Sequence, residues 1–514
     1  MICYLRKVTG MDNKQELRDV LVFMSDQHTP YYSGFYADRC VDTPNLTRLS
    51  ESGVTFDECY TVCPLCGPSR AALLSGRRPA ETGIFTKSAL SDTTATFLHC
   101  LVEQGYETVL VGRMHFIGPD QYHGFTKHIA ADMTPVTWDT STVRPQLRKE
   151  RGFYVQNDTF GHGAAACAGG GTSPVLEYDE FVLNEALKYL SEPHEKPQFV
   201  FVSIYGPHFP YVAPVDLYKK YINKVKLPEN FNDDVFCPVL KNYQVKMTED
   251  VALACQAAYC GMIENTDRIF GRVWDAFQEF TEKRGTRNMV MYLSDHGDQC
   301  GDRHIMGKET YYEKSVKIPF IMAGDGIVAG ARVAQPASIM DIGPTILSYT
   351  GAKPLMGVDG VSLADALIGR DIPEHPVYSE FIDRTDGKPF FVPYEDTDEF
   401  CHSFMLREGD YKYITYQGFE KDDALFNIKQ DPQERTNLAA SEPRVLTLMK
   451  DNSRDLLMHE KAAKNFRIEA RVDDLLTKWE KAKGYSYEDM RWKGISEKAG
   501  QEPEICVRNP YFEK

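Results

Sequence analysis

The chain reads as an α/β protein: a large, mostly parallel sheet sandwiched by helices, followed by a smaller α+β unit. Short continuous apolar runs, with the length and β-branching of strands buried on both faces, recur along the first three-quarters of the sequence. Amphipathic helical patterns separate them, which is the alternation of a sheet assembled through crossovers. Beyond about residue 375 the pattern changes to a hairpin and two amphipathic helices.

The strands come in this order. DVLVFMSDQ (19–27) is the first and strongest run, followed by ETVLVG (107–112), QFVFVSIYG (198–206), NMVMYLSD (288–295) and IPFIMAG (318–324). Helical periodicity covers 94–105, 179–190 and the long stretch 248–280. SFMLREGDYKYITYQ (403–417) predicts two strands joined by a turn at Glu408–Asp410, with helices near 442–458 and 467–483. The expected division is a first domain over 1–375 and a C-terminal subdomain over 376–514. The latter ends in a tail bearing Trp492, Tyr511 and Phe512, aromatics suited to packing in a homo-oligomer.

At 514 residues the chain exceeds one ordinary core. A net charge of −16 excludes a general nucleic-acid binder, which needs a basic stripe, but leaves room for an anionic small molecule held by a few local cations. The first twenty residues hold no apolar run of signal-peptide or membrane-anchor length, so a cytoplasmic, non-membrane protein is expected. Thirteen cysteines without paired spacing read as buried small hydrophobes or ordinary thiols. Cys63 and Cys66 form a C-x-x-C, but no second ligand pair stands at zinc-site spacing.

Ligands of parallel sheets bind at the carboxyl ends of the strands, and Asp26, His208 and Asp295 sit at or just past such ends. The sharpest string is CPLCGPSRAALLSGRRP (63–79). Pro68 suits the first turn of a helix that stops at Gly76. Cys66 then faces unpaired backbone N–H groups with Arg70 one turn on, a setting expected to stabilise an anion bonded to position 66.

Cys66-Gly67-Pro68-Ser69-Arg70, followed by Leu74-Ser75-Gly76-Arg77, resembles the C-x-P-x-R signature of the sulfatases, of the alkaline-phosphatase-like superfamily. The resemblance implies that a maturation enzyme converts Cys66 to formylglycine. It implies a divalent metal held by Asp26, Gln27, Asp295, His296 and an oxygen of the modified Cys66. Oxygen-rich sites favour calcium, while one histidine and one amide make manganese the rival. Gln27 stands where many sulfatases carry aspartate. With Gly112-Arg113-Met114-His115-Phe116 and Gly118-Pro119-Asp120-Gln121-Tyr122-His123-Gly124-Phe125, it resembles the choline-sulfatase and phosphonate monoester hydrolase branch. Arg113 replaces the usual lysine there, a planar fork in place of a point donor.

Gly206-Pro207-His208-Phe209-Pro210 and Lys308 fall where the family places a catalytic histidine and a sulfate-binding lysine. By the resemblance, Arg70, Arg113 and Lys308 hold the sulfate oxygens, His208 protonates the departing alcohol, and His115 removes a proton in the step that frees sulfate. The substrate is then a small-molecule or saccharide sulfate ester. A phosphonate monoester or phosphodiester is the alternative, and an inactive binder of sulfated ligands a further one. Lys87, Trp138 and His162, the last in the glycine-rich stretch 158–173, are candidate substrate contacts.

Overall fold

The computed structural model describes residues 18–36, 40–86, 88–138, 165–384, 400–483 and 503–512. Its main sheet consists of β1 (Arg18–Asp26), β2 (Gly53–Phe56), β3 (Glu107–Gly112), β4 (Lys127–His128), β5 (Gln198–Pro207), β6 (Arg287–Ser294), β7 (Phe320–Gly324) and β8 (Ala331–Val333). Across the sheet the order is β8-β2-β7-β6-β1-β5-β3-β4. β1 takes a central place, parallel to β5 on one side and β6 on the other.

Period-two alternation divides β1 between two cores. Leu21 and Phe23 face the layer of α2 (Pro174–Ser191) and α3 (Glu249–Arg284). Val20, Val22 and Met24 face the opposite layer, built around α1 (Cys66–Ser75) and the helix Ile342–Thr350. All five are completely buried, and each such side chain contributes about 1.5–3 kcal/mol. This is why the run shows no polar face.

The 318–324 run forms β7, antiparallel to β6 and to β2. A parallel crossover needs a covering helix to carry the chain back to the other end of the sheet. The connection over 295–319 holds only short helical turns and stays at the carboxyl end of β6, so the chain enters β7 from that end. The same detour keeps Asp295, His296, Asp298 and Lys308 together at one edge.

Helix α3 begins with Thr248, whose side chain accepts the Val251 N–H at 3.3 Å, and closes on Gly285 in the left-handed conformation. Its Tyr259 hydroxyl donates to the Gln27 carbonyl at 2.6 Å and accepts from the Thr29 N–H at 2.9 Å, fixing the chain just past β1.

Farther on, β9 (Val377–Arg384), β10 (Phe400–Glu408), β11 (Tyr411–Tyr416) and β12 (Ala424–Asn427) make an antiparallel sheet, with the predicted hairpin as β10 and β11. Met405 and Ile414 on one face pack with Cys63, Leu65 and Tyr60, beside α1. Phe404, Leu406 and Tyr413 on the other pack with Met449 of the helix Pro443–Ser453. The next helix, α4 (His459–Lys483), starts earlier than residue 467, and Asn465 binds the Ala80 carbonyl at 2.8 Å. The tail strand Ile505–Arg508 pairs antiparallel with Cys167–Gly170, next to Val212–Ala213. Among the described residues no helix is long and apolar enough to cross a membrane.

Candidate active site

Four segments deliver the site from the carboxyl edge of the sheet. Asp26 ends β1, and Asp295 and His296 follow β6. Arg113 and His115 follow β3, and His208 follows β5. The fifth contributor is α1. Cys66 is its first residue, lying inside the first turn, with Leu65 as the cap. Pro68 is tolerated in that turn because it supplies no needed N–H, and Gly76 (φ 67°) ends the helix with its N–H bonded to the Ala72 carbonyl. Ser69 anchors α1 by donating to the Asp295 carbonyl at 2.7 Å.

Asp26, Cys66, Asp295 and His296 each offer a ligand atom within 4.8 Å of the others, all of them buried. Nδ1 of His296 lies 3.1 Å from the Gly297 carbonyl and donates its N–H to it, which leaves the Nε2 lone pair facing the cluster. That lone pair stands 3.8 Å from Asp26 Oδ1 and 3.7 Å from Asp295 Oδ1. Three electron-rich atoms converging in a dry pocket repel one another unless a cation lies between them, so the donor set fits a divalent ion. Gln27, held at φ 66°, gives its side-chain oxygen to Lys308 Nζ at 2.6 Å and donates from Nε2 to Asp298 Oδ2 at 2.6 Å.

Cations surround the acidic centre. Arg70 bridges both carboxylates, with NH2 3.1 Å from Asp26 Oδ2 and Nε 2.9 Å from Asp295 Oδ2. Its NH1 reaches the Arg113 carbonyl at 3.1 Å and Ser203 Oγ at 2.9 Å, so all three guanidinium nitrogens are engaged. Nε of Arg113 is 2.9 Å from Asp26 Oδ2, and its guanidinium lies over the Tyr205 ring at 4.1 Å. Lys308 Nζ is 3.4 Å from Cys66 Sγ. Burial works to raise the Asp26 carboxyl, but Arg113, Arg70 and Lys308 outweigh it and hold the group at about 2.

The unmodified Cys66 thiol is itself not activated. Burial first, and Asp26 next, push its thiol up to about 11, overriding the helix N-terminus and the cations. The thiol stays neutral, 3.2 Å from His296 Nε2. An unmodified Cys66 is thus a poor nucleophile in its own site.

Lys308 Nζ also meets His208 Nε2 at 2.8 Å, and burial, then Lys308, drives the His208 imidazole well below its ordinary value. His115 joins the cluster through Arg113, whose NH2 is 2.9 Å from His115 Nδ1, while its backbone N–H is held by Asp132 Oδ2 at 3.0 Å. Trp138 is half-buried and packs on Gly118. Lys87 and His162 lie outside the described residues.

Ser203, Tyr205 and Asp132 escaped the sequence reading. Ser203 and Tyr205 stand on a strand whose residues are all buried, so their positions carry no contrast with their neighbours. Asp132 sits in an irregular loop without a pattern.

A sequence profile of the sulfatase family matches residues 18–352, and one described as N-sulphoglucosamine sulphohydrolase, C-terminal, matches 301–462. A choline-sulfatase of Rhizobium meliloti (strain 1021) is 29% identical over 450 residues, 82% of each chain. Arylsulfatase K of Danio rerio is 25% identical over 508 residues, covering 92% of this chain and 90% of its own. Among solved structures, the phosphonate monoester hydrolase of Agrobacterium radiobacter superposes with a TM-score of 0.68 at 22% identity. The match covers 86% of this chain and 96% of that one, and it shows the same fold.

Proposed function

The chain belongs to the sulfatase family, and on that premise we propose that it hydrolyses a small-molecule or saccharide sulfate ester to alcohol and inorganic sulfate. The observation that carries this reading is the convergence of Asp26, Asp295 and His296 on Cys66, ringed by Arg70, Arg113 and Lys308. A formylglycine made from Cys66 by a maturation enzyme supplies, when hydrated, the attacking oxygen. A divalent ion held by Asp26, Gln27, Asp295 and His296, calcium with manganese as the rival, supplies Lewis acidity.

The chain's own residues do the rest. Arg70 commits its guanidinium to the two carboxylates, the Arg113 carbonyl and Ser203, so its part is to lock the acidic centre in place. Arg113 and Lys308 offer positive charge to the sulfate oxygens in a buried site, where fixed charges act strongly on a transition state. His208 and Lys308 form the hydrogen-bonded pair that conducts a proton to the departing alcohol. His115, oriented by Arg113 and Asp132, serves proton removal when sulfate leaves.

A cationic rim that binds a tetrahedral anion treats sulfate and phosphonate alike, and the fold is shared with a phosphonate monoester hydrolase. Phosphonate monoester hydrolysis is therefore the second reading. Both are tested by producing the protein with a formylglycine-generating enzyme, measuring the mass of the Cys66 peptide, and comparing choline sulfate, 4-nitrophenyl sulfate and a phenylphosphonate monoester as substrates. A formylglycine mass with faster sulfate turnover supports the proposal. Faster phosphonate turnover favours the second reading, and an unmodified thiol without turnover leaves a binder of sulfated ligands.

A further inference from the structure

Asp179 is a carboxylate in a place built for a hydrocarbon. It lies on the buried face of α2 beside Val175, Tyr178, Val182 and Leu183, is 1% exposed, and forms no ion pair among the described residues. Nothing in the reaction as described above uses it. Its two oxygens accept successive backbone N–H groups, Tyr205 at 2.7 Å on Oδ1 and Gly206 at 2.9 Å on Oδ2.

Those two N–H groups sit where the sheet ladder breaks. Met24 of β1 pairs with Ser203 of β5, but Asp26 pairs with Pro207, so β5 carries extra residues over that stretch and bulges. A bulge leaves backbone donors without a strand partner, and a buried orphan donor costs about 1–3 kcal/mol. Asp179 takes both. The fit is close: a Cβ on Gly206 would lie 2.6 Å from Asp179 Oδ2, so only glycine lets the carboxylate reach the chain here.

The bulge carries two groups of the site. The Tyr205 ring is the seat of the Arg113 guanidinium, and the Tyr205 carbonyl receives the His208 N–H at 3.1 Å. We propose that Asp179 is a positioning residue: by clamping the Tyr205 and Gly206 N–H groups it fixes the bulged end of β5, and so aims His208 at the leaving-group side of the reacting centre. Burial pushes the Asp179 carboxyl up to about 7, against the pull of its hydrogen bonds from the Tyr205 and Gly206 N–H groups. The inference rests on the reading of the site as a sulfate-ester hydrolase, with His208 on the leaving-group side.

The test uses the full, matured chain. Asp179→Asn keeps the shape but turns an amide N–H toward one of the two donors, while Gly206→Ala crowds the same contact from the other side. Each is assayed on 4-nitrophenyl sulfate, whose leaving group needs no proton, and on an alkyl sulfate, whose leaving group does. Both variants should lower kcat about 10- to 100-fold on the alkyl ester with little change in KM, and far less on the nitrophenyl ester. In the His208→Ala background Asp179→Asn should cost little more, because both act through one group. Equal losses on the two esters, or full additivity with His208→Ala, would overturn the proposal. So would failure of both variants to fold where His208→Ala folds, since Asp179 would then be a stability residue. Amide hydrogen exchange over 199–209 separates this inference from the function it rests on. Should the wild type hydrolyse neither ester, the functional reading fails, and unchanged exchange in Asp179→Asn removes the clamp as well.

Discussion

Nζ of Lys308 stands 2.8 Å from Nε2 of His208, while Nδ1 of the same ring lies 2.7 Å from the Phe209 carbonyl. The carbonyl claims the Nδ1 proton, so the neutral imidazole turns its lone pair to the ammonium. The acid on the leaving-group side is therefore the pair, with its labile proton on Lys308. Lys308→Ala and His208→Ala should each lower kcat about 100-fold or more on an alkyl sulfate, and the double variant should lose much less than the product. Lys308→Arg should not rescue, because a planar fork cannot donate to His208, Gln27 and the substrate from one point. Steady-state kinetics of the four proteins decide it, and independent, multiplicative losses would refute the pairing.

Cys66→Ala should abolish turnover, and Cys66→Ser should lower it at least about 1000-fold, since a serine lacks the second oxygen needed to release sulfate. Full activity in either variant would sink the mechanism.

Removal of divalent ions should cost stability as well as activity. His296 Nε2 lies 3.8 Å from Asp26 Oδ1 and 3.7 Å from Asp295 Oδ1, a donor set that fits a divalent ion, and an ion at a hundred times its Kd adds about 2.7 kcal/mol. Dialysis against a chelator should lower Tm, calcium or manganese should restore it, and Asp295→Asn should lose that response. A Tm indifferent to both treatments would count against an ion between these groups.

Two adjacent arginines after α1 should behave oppositely. Arg78 is buried, grips Glu380 through Nε at 3.2 Å and NH2 at 2.9 Å, and lies over the Tyr378 ring at 4.3 Å, whereas Arg77 is exposed. Arg78→Ala strands a buried carboxylate and should destabilise by about 3–5 kcal/mol, while Arg77→Ala should stay within about 0.5 kcal/mol. Urea unfolding of the two variants checks the contrast.

Stability should also carry a signature of Glu434. One buried ammonium, Lys412, pairs with both Glu313 and Glu434. Burial, against the pull of Lys412, pushes Glu434 up to about 7. The folded protein therefore holds this proton more tightly than the unfolded chain does. The resulting stabilisation is full at pH below about 4.5 and fades as pH rises through about 7. Between about pH 5 and pH 8 the wild type should lose roughly 1–3 kcal/mol relative to Glu434→Gln. Parallel Tm curves across that range would show that Glu434 titrates as an ordinary glutamate.

Much of the site could be read from residues alone, because position and chemistry coincide there. Asp26 and Asp295 end apolar runs, and the carboxyl ends of parallel strands are where a sheet binds ligands. Cys66 and Arg70 share a helix whose start and stop are written in Pro68 and Gly76. Direction was not legible: an apolar run such as 318–324 reads the same either way, and the detour over 295–319 decides that β7 is antiparallel. Nor was burial: Arg77 and Arg78 are alike in sequence, and the Cys66 thiol is governed by the depth of its pocket more than by its place on α1. Asp179 looked like one polar position in a helix, since the bulge it serves depends on the register between β1 and β5.

Cys66 is 4% exposed, and the helix that carries it is pinned by Ser69 to Asp295, 226 residues further along the chain. A side chain so enclosed offers little surface to a second protein while that pin is in place. The conversion proposed for Cys66 is therefore a matter of timing. At ordinary rates of synthesis the ribosome needs on the order of 10–50 s to make the chain from Ser69 to its anchor. Within that interval the cysteine is accessible. On the proposed conversion, a chain that folds first would keep its thiol, and the yield of active enzyme would be set by a race between modification and folding.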